Sequence, residues 1–166
     1  MRARRLGEGE WAAGWRAASR NRRKAGGGRG QGGGNVALTA LERWERQLRR
    51  ALDKVDAELE AKYGGSFRLR PNRPEQGKTA NAKYDGLFSV DAKFSMGYAS
   101  QMGPGYVIEM RTASAEPVAD ETRRAMLKDA GAFLAQALQE VFPDRDFSLE
   151  LDGNHFHLSG DLSLDA

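Results

Sequence analysis

The chain contains no cysteine, which excludes a disulfide framework and any thiolate metal site. It has only two histidines, His155 and His157, fewer than a site built on several imidazoles would use. No apolar run approaches the roughly 18 residues of a membrane span, so no membrane partner is expected. The N-terminus has the arginines of a signal peptide but lacks the apolar stretch that must follow them, and a cytoplasmic protein is expected. There is no nucleophile elbow, no H-E-x-x-H, and no Cys/His pair. No catalytic residue, cofactor or metal is therefore assigned, and the sequence is read as noncatalytic. An enzyme would require a pocket that sequence does not reveal.

What is present is unevenly distributed. Residues 1–36 hold half of the 20 glycines and nine Arg/Lys against two Glu, a net charge of +7. The remaining residues hold seventeen Arg/Lys against twenty-one Asp/Glu, a net of −4. Arginines that repel one another, spaced by glycines of high chain entropy, cannot bury enough apolar surface to order themselves. Residues 1–36 are accordingly expected to be a disordered Arg/Gly-rich basic tail, with at most a transient turn at Trp11-Ala-Ala-Gly-Trp15. Such a tail suits phosphate contacts and base stacking. A targeting segment, a solubilising linker, or sequence upstream of a start near Val36 are the other readings.

Residues 37–166 read as one α+β domain. Leu41, Trp44, Leu48, Leu52, Val55 and Leu59 recur at spacings of three and four, predicting a helix over 38–63. Thr39 and Glu42 form a T-x-x-E capping box at its start, and Gly64-Gly65 offers a left-handed stop. Glu42–Arg46, Glu45–Arg49 and Glu58–Lys62 are expected i,i+4 pairs. Residues 66–70 are expected to form a short strand ended by Pro71. Phe88, Val90, Ala92 and Phe94 alternate with polar residues, and so do Tyr106, Ile108 and Met110, which predicts two half-buried strands. Residues 117–142 read as a second helix, with Gly131 permitting close packing and Pro143 stopping it. Phe147, Leu149 and Leu151 lead into Asp152-Gly153-Asn154, with Phe156 and Leu158 beyond, a hairpin signal. The expected order is α-β-β-β-α-β-β, an antiparallel sheet with both helices on its apolar face. Trp44 and Phe133 are the expected core anchors, and the outer face of the sheet should be polar and available.

Two motifs are weak. Gly77-Lys78-Thr79 resembles the end of a phosphate loop, but that motif requires glycine at position 72, where the sequence has Asn72, and a helix must follow. His155 and His157 share one face of a strand and could grip a metal only with a third ligand. They are read instead as solvent-facing hairpin positions.

The stretch from Arg68 to Lys83 is more informative. It carries Arg68, Arg70, Arg73, Lys78 and Lys83 against Glu75 alone, a net of +4 inside an otherwise acidic domain. Tyr84 borders it and Tyr98 follows in a glycine-rich turn region. A connection this long in a compact domain is uncommon and often functional. Its cations could meet phosphates and its tyrosines could stack on bases, or the charges could simply pair with the acidic body. These seven residues form the candidate binding surface.

The opening order α-β-β-β-α resembles that of double-stranded-RNA-binding domains. The acidic start of the second helix, Glu116 to Glu121, departs from it, because it would repel phosphate. The full order looks like that of small type III secretion chaperones, which bind extended segments of other proteins. Neither likeness rests on a residue motif, so no functional residue is carried over. The function expected from the sequence is a noncatalytic interaction module that contacts an unknown protein partner or itself through a sheet face or edge. The alternative is a nucleic-acid- or ribosome-associated protein using the basic tail and the loop 68–83.

Overall fold

The computed structural model describes residues 38–97 and 102–164. The tail expected at 1–36, its Trp11–Trp15 turn and Tyr98 all lie outside the described residues. The first helix, α1 (Ala40–Tyr63), begins where the capping box places it: Glu42 N–H donates to Thr39 Oγ1 at 3.1 Å and Thr39 N–H to Glu42 Oε2 at 2.7 Å. Two of the four orphan amides of the first turn are thereby satisfied. Trp44, Leu48, Leu52, Val55 and Leu59 are buried along one face, whereas Leu41 is 44% exposed.

The end of α1 differs from expectation. Gly64 is right-handed (φ −56°) and the chain tightens into a 3-10 turn, Gly64–Ser66. The glycine is needed for space: a Cβ on Gly64 would lie 2.7 Å from Glu60 Oε2. The ion pairs also differ, since a long side chain pairs with whichever carboxylate its packing brings nearest, on its own helix or across the fold. Arg49 pairs with Asp53 at 2.9 Å, and Lys62 reaches Asp129 on the second helix at 2.7 Å. Tyr63 donates to the same Asp129 carboxylate. Burial and that bond push its phenol up to about 12.

The strand expected at 66–70 reduces to a single bridge, Leu69 to Ser114, with Arg70 N–H donating to Ala113 O and Ala115 N–H to Arg68 O. The segment leaves the 3-10 turn at one end and meets Pro71, which has no amide for the ladder, at the other. Four full strands follow: β1 (Phe88–Ser95), β2 (Gly105–Thr112), β3 (Phe147–Asp152) and β4 (His155–Gly160). They form one antiparallel sheet in the order β1-β2-β4-β3. The β3–β4 turn has Gly153 at φ +63°, the left-handed first position that a type II′ hairpin requires.

The second helix, α2 (Asp120–Val141), crosses from β2 to β3 and ends at Phe142, before Pro143. It starts three residues later than Pro117. Both helices share one apolar core with the inner side chains Phe88, Val90, Ile108, Phe147, Phe156 and Leu158. At Gly131 a Cβ would lie 3.1 Å from the Phe156 ring, so α2 and β4 approach as closely as a missing side chain allows. Trp44 packs on Tyr106, Phe142 and Phe147 with ring centroids 4.6–6.0 Å apart, under the guanidinium of Arg145. Phe133 is only partly buried at the margin. Among the described residues no helix is long and apolar enough to cross a membrane.

The outer face of the sheet is less open than its alternation predicts. His157 is 5% exposed, not solvent-facing. Its Nε2 lies 3.2 Å from Gly103 O, and a Cβ on Gly105 would sit 2.9 Å from its ring. Gly103 and Gly105 thus lie against this histidine. His155 remains partly exposed, with Nε2 3.5 Å from Asp152 Oδ2. No group of three metal-ligating side chains occurs among the described residues.

Candidate interaction surface at the edge of the first strand

Strand β1 lies at an edge of the sheet, and its two halves are treated differently. Ala113 N–H donates to Leu87 O at 2.7 Å, in line with the register that pairs Phe88 with Thr112. Backbone groups alternate in direction along an antiparallel strand. The odd positions 87–95 therefore face β2, and Phe88, Val90, Ala92 and Phe94 aim theirs outward, away from the sheet.

In the first half these outward groups are claimed by side chains. Glu60 Oε1 accepts Phe88 N–H at 2.8 Å, Arg73 Nη2 donates to Phe88 O at 3.1 Å, and Arg49 Nη2 donates to Val90 O at 2.9 Å. An unpaired edge is a template for further strands, and three charged groups close it here.

The closure depends on a knot in the loop 71–87. The Arg73 guanidinium also donates to Gly86 O, Lys83 O and Asp85 O at 2.8–3.1 Å. Thr79 N–H donates to Asp85 Oδ2 at 3.0 Å, and Gly86 N–H to Pro74 O. Gly86 has φ +68°, and a Cβ there would fall 2.2 Å from Glu60 Oε1. Only glycine lets the chain turn against that carboxylate. Beneath the knot lies Asp56, one turn before Glu60 on α1 and 1% exposed; its Oδ2 has no hydrogen-bond partner among the described residues. Burial first, then the neighbouring charges of Glu60, Asp85 and Asp53, push its carboxyl up to about 8, against the pull of Arg49. Burial also raises Glu60, opposed by the amides of Phe88 and Leu87.

The second half of the strand is bare. No described side chain caps Ala92 or Phe94, and the helical layer no longer covers the inner face. Phe94 is 55% exposed and Met96, two residues on, is 50% exposed. The Phe94 ring rests edge-on against Tyr106 at 5.4 Å, and Tyr106 in turn touches Trp44 at 6.0 Å. Leu41, the exposed large apolar residue of α1, lies one turn before Trp44 on the same helix face. On the outer face, Asp91 is held by Lys83 at 3.3 Å and Arg49 at 3.6 Å, while Lys93 is exposed with no ion pair among the described residues.

Six of the seven residues singled out from sequence lie among the described residues and separate into groups. Arg73, Lys83 and Tyr84 are brought together: Arg73 is enclosed by the knot, and Lys83 lies over the exposed Tyr84 ring at 5.1 Å while pairing with Asp91. Asp91 raises the Lys83 ammonium above its ordinary range, through their hydrogen bond and its charge. Arg68 and Arg70 sit on the bridging segment, both exposed, with Arg70 Nε donating to Ser114 O at 3.2 Å. Lys78 stands exposed near the loop tip, apart from the others. Sequence reasoning missed Asp56, Glu60, Phe94 and Met96. Asp56 and Glu60 were detectable as acids that directly follow Val55 and Leu59 at the border of the apolar face. Nothing in the alternation of β1 distinguishes an uncovered Phe94 from a buried one.

Comparison with known proteins adds a boundary but no activity. A family model described as an uncharacterised protein matches residues 39–160, from the cap of α1 to the last residue of β4. An uncharacterised protein of Borreliella burgdorferi is 38% identical over 106 residues, covering 64% of this chain and 83% of that relative. No solved structure matches.

Proposed function

The chain belongs to this family of uncharacterised proteins, and we propose that it acts as a noncatalytic protein-interaction module whose contact surface is the bare half of β1. The observation that supports this reading is Phe94: a large aromatic, 55% exposed, at the uncapped end of an edge strand. Extended partners add to such edges through backbone hydrogen bonds, with side-chain contacts supplying specificity. The absence of cysteine is in keeping with a reducing compartment, and we place the activity in the cytoplasm.

The test is photocrosslinking in cells, with a benzophenone side chain at position 94 and, as control, at Arg124 on the exposed side of α2. A discrete adduct at 94 and none at 124 is the expected result. No adduct at 94, or the same smear at both sites, overturns the reading.

A second reading, nucleic-acid binding by the tail and the loop 68–83, is favoured by the exposure of Arg68, Arg70, Lys78 and Tyr84 on the described part of that surface. Phosphate binding must weaken steeply with salt. Full-length chain is titrated with single-stranded RNA across a salt series, beside Arg68→Glu and Lys78→Glu. A steep salt slope that both variants flatten supports it, and absence of binding at low salt ends it.

A further inference from the structure

Resting on the interaction reading above, we infer that the partner at β1 is a second copy of this chain, added antiparallel to β1 about a two-fold axis at Ala92. Three properties of the edge lead there. The first is direction. Only even-numbered positions present backbone groups outward, so a β1–β1 pairing must set even against even, and the two-fold must pass through or between such positions.

The second is charge. With Ala92 opposite its own copy, Asp91 of each chain faces Lys93 of the other, twice per dimer. Opposite charges directly across a pair of strands stabilise and like charges destabilise. The neighbouring register, Ala92 against Phe94, would set Lys93 against Lys93. The next, Phe94 against Phe94, sets Lys93 against Ser95 and gains no charge pair. Lys93 is the outward cation of β1 that lacks an ion pair among the described residues, and this register supplies one.

The third is apolar cover. The Ala92-centred register sets Phe94 opposite Val90, while Phe88, whose amide and carbonyl are taken by Glu60 and Arg73, stays outside the new ladder; the exposed Phe94 ring thus meets the strand end where the other copy's helices already provide a wall. Val90 O keeps its bond from Arg49, because a carbonyl has a second lone pair for the incoming Phe94 amide. A closed, isologous contact of this kind uses up the β1 edge of both copies, so it does not propagate through β1. Its small area places it among weak, reversible associations.

The experiment is sedimentation equilibrium of the full chain over a concentration series, with Lys93→Asp, Asp91→Lys and their equimolar mixture. Wild type should move from one chain mass to two. Each single variant alone sets like charges opposite one another and should weaken self-association by at least about tenfold. Mixed, they restore both opposite-charge contacts, so the mixture should regain the two-chain mass. Asp91 also holds Lys83 and Arg49; should Asp91→Lys melt, Lys93→Asp and Phe94→Ser, both at exposed positions, decide alone by losing self-association. Wild type that stays one chain at every concentration overturns the inference, as does Lys93→Asp that still pairs like wild type. If wild type is monomeric yet position 94 crosslinks to a different protein, self-pairing fails and the interaction reading stands. If there is neither dimer nor adduct, both fail.

Discussion

Glu60 and Phe88, a helix residue and the first residue of the sheet, are joined by a 2.8 Å bond from the Phe88 amide to Glu60 Oε1. The carboxylate is buried, and Gly64 and Gly86 both lack side chains where it sits. Removing it strands a buried N–H, which costs about 1–3 kcal/mol. Glu60→Ala should therefore lower the unfolding free energy by that amount in denaturant titration and speed hydrogen exchange at Phe88. Unchanged protection of that amide would refute the assignment.

Arg73 holds the loop through a planar fork that lysine cannot reproduce. Arg73→Lys keeps the charge but surrenders most of its bonds to the carbonyls of Lys83, Asp85, Gly86 and Phe88. A loss of about 2 kcal/mol or more is expected, with new protease cleavage between residues 71 and 87. Arg68→Lys, on an exposed side chain, should change neither.

Asp56 titrates near 3.8 when unfolded and at about 8 when buried. Between those values the folded chain retains a proton that the unfolded chain has released, so stability falls as pH rises through that window. Asp56→Asn removes this contribution. Its melting temperature should exceed that of wild type by a margin that widens from pH 4 to pH 8. A margin equal at both ends would show that the carboxyl does not titrate as its burial demands.

Trp44 and Phe94 belong to one chain of aromatic contacts but should respond in opposite ways. Trp44 is buried against three rings, and Trp44→Ala should cost about 3–5 kcal/mol. Phe94→Ser removes an exposed ring and should stay within about 0.5 kcal/mol of wild type. Thermal melts of the two variants check this directly. A Phe94 variant as damaged as Trp44→Ala would mean that the ring serves the core.

The parts of the fold that periodicity controls were legible in advance. The capping box at Thr39, the face from Trp44 to Leu59, the alternation of β1 and β2 and the turn at Gly153 are local signals, and each forms where its residues stand. Close packing at Gly131 follows from the same logic. What could not be read depends on distant neighbours. Residues 66–70 have the composition of a strand but form one bridge, Leu69 to Ser114. Glu58 is the helical partner expected for Lys62, yet Lys62 reaches Asp129 across the fold, and Arg49 pairs with Asp53 rather than Glu45 while also reaching Asp91. The basic stretch 68–83 was visible as charge. That Arg73 turns inward to four carbonyls while Arg68 and Lys78 face water was not, because charge count does not encode direction. Phe94 was visible as an inward position, and its exposure depends on where the helical layer ends.

The strand order β1-β2-β4-β3 bears on how the chain reaches its final form. β1 with β2 and β3 with β4 are neighbours in sequence, and each pair can zip soon after its own turn closes. The seam between the two halves, Tyr106–Glu109 against His155–Leu158, joins stretches separated by the whole of α2. The ordering entropy of that intervening segment must be met before the seam gains any bonds. The seam should be the slow step of assembly, and Gly131, where α2 lies flush on Phe156, is where the crossing helix packs on the second hairpin.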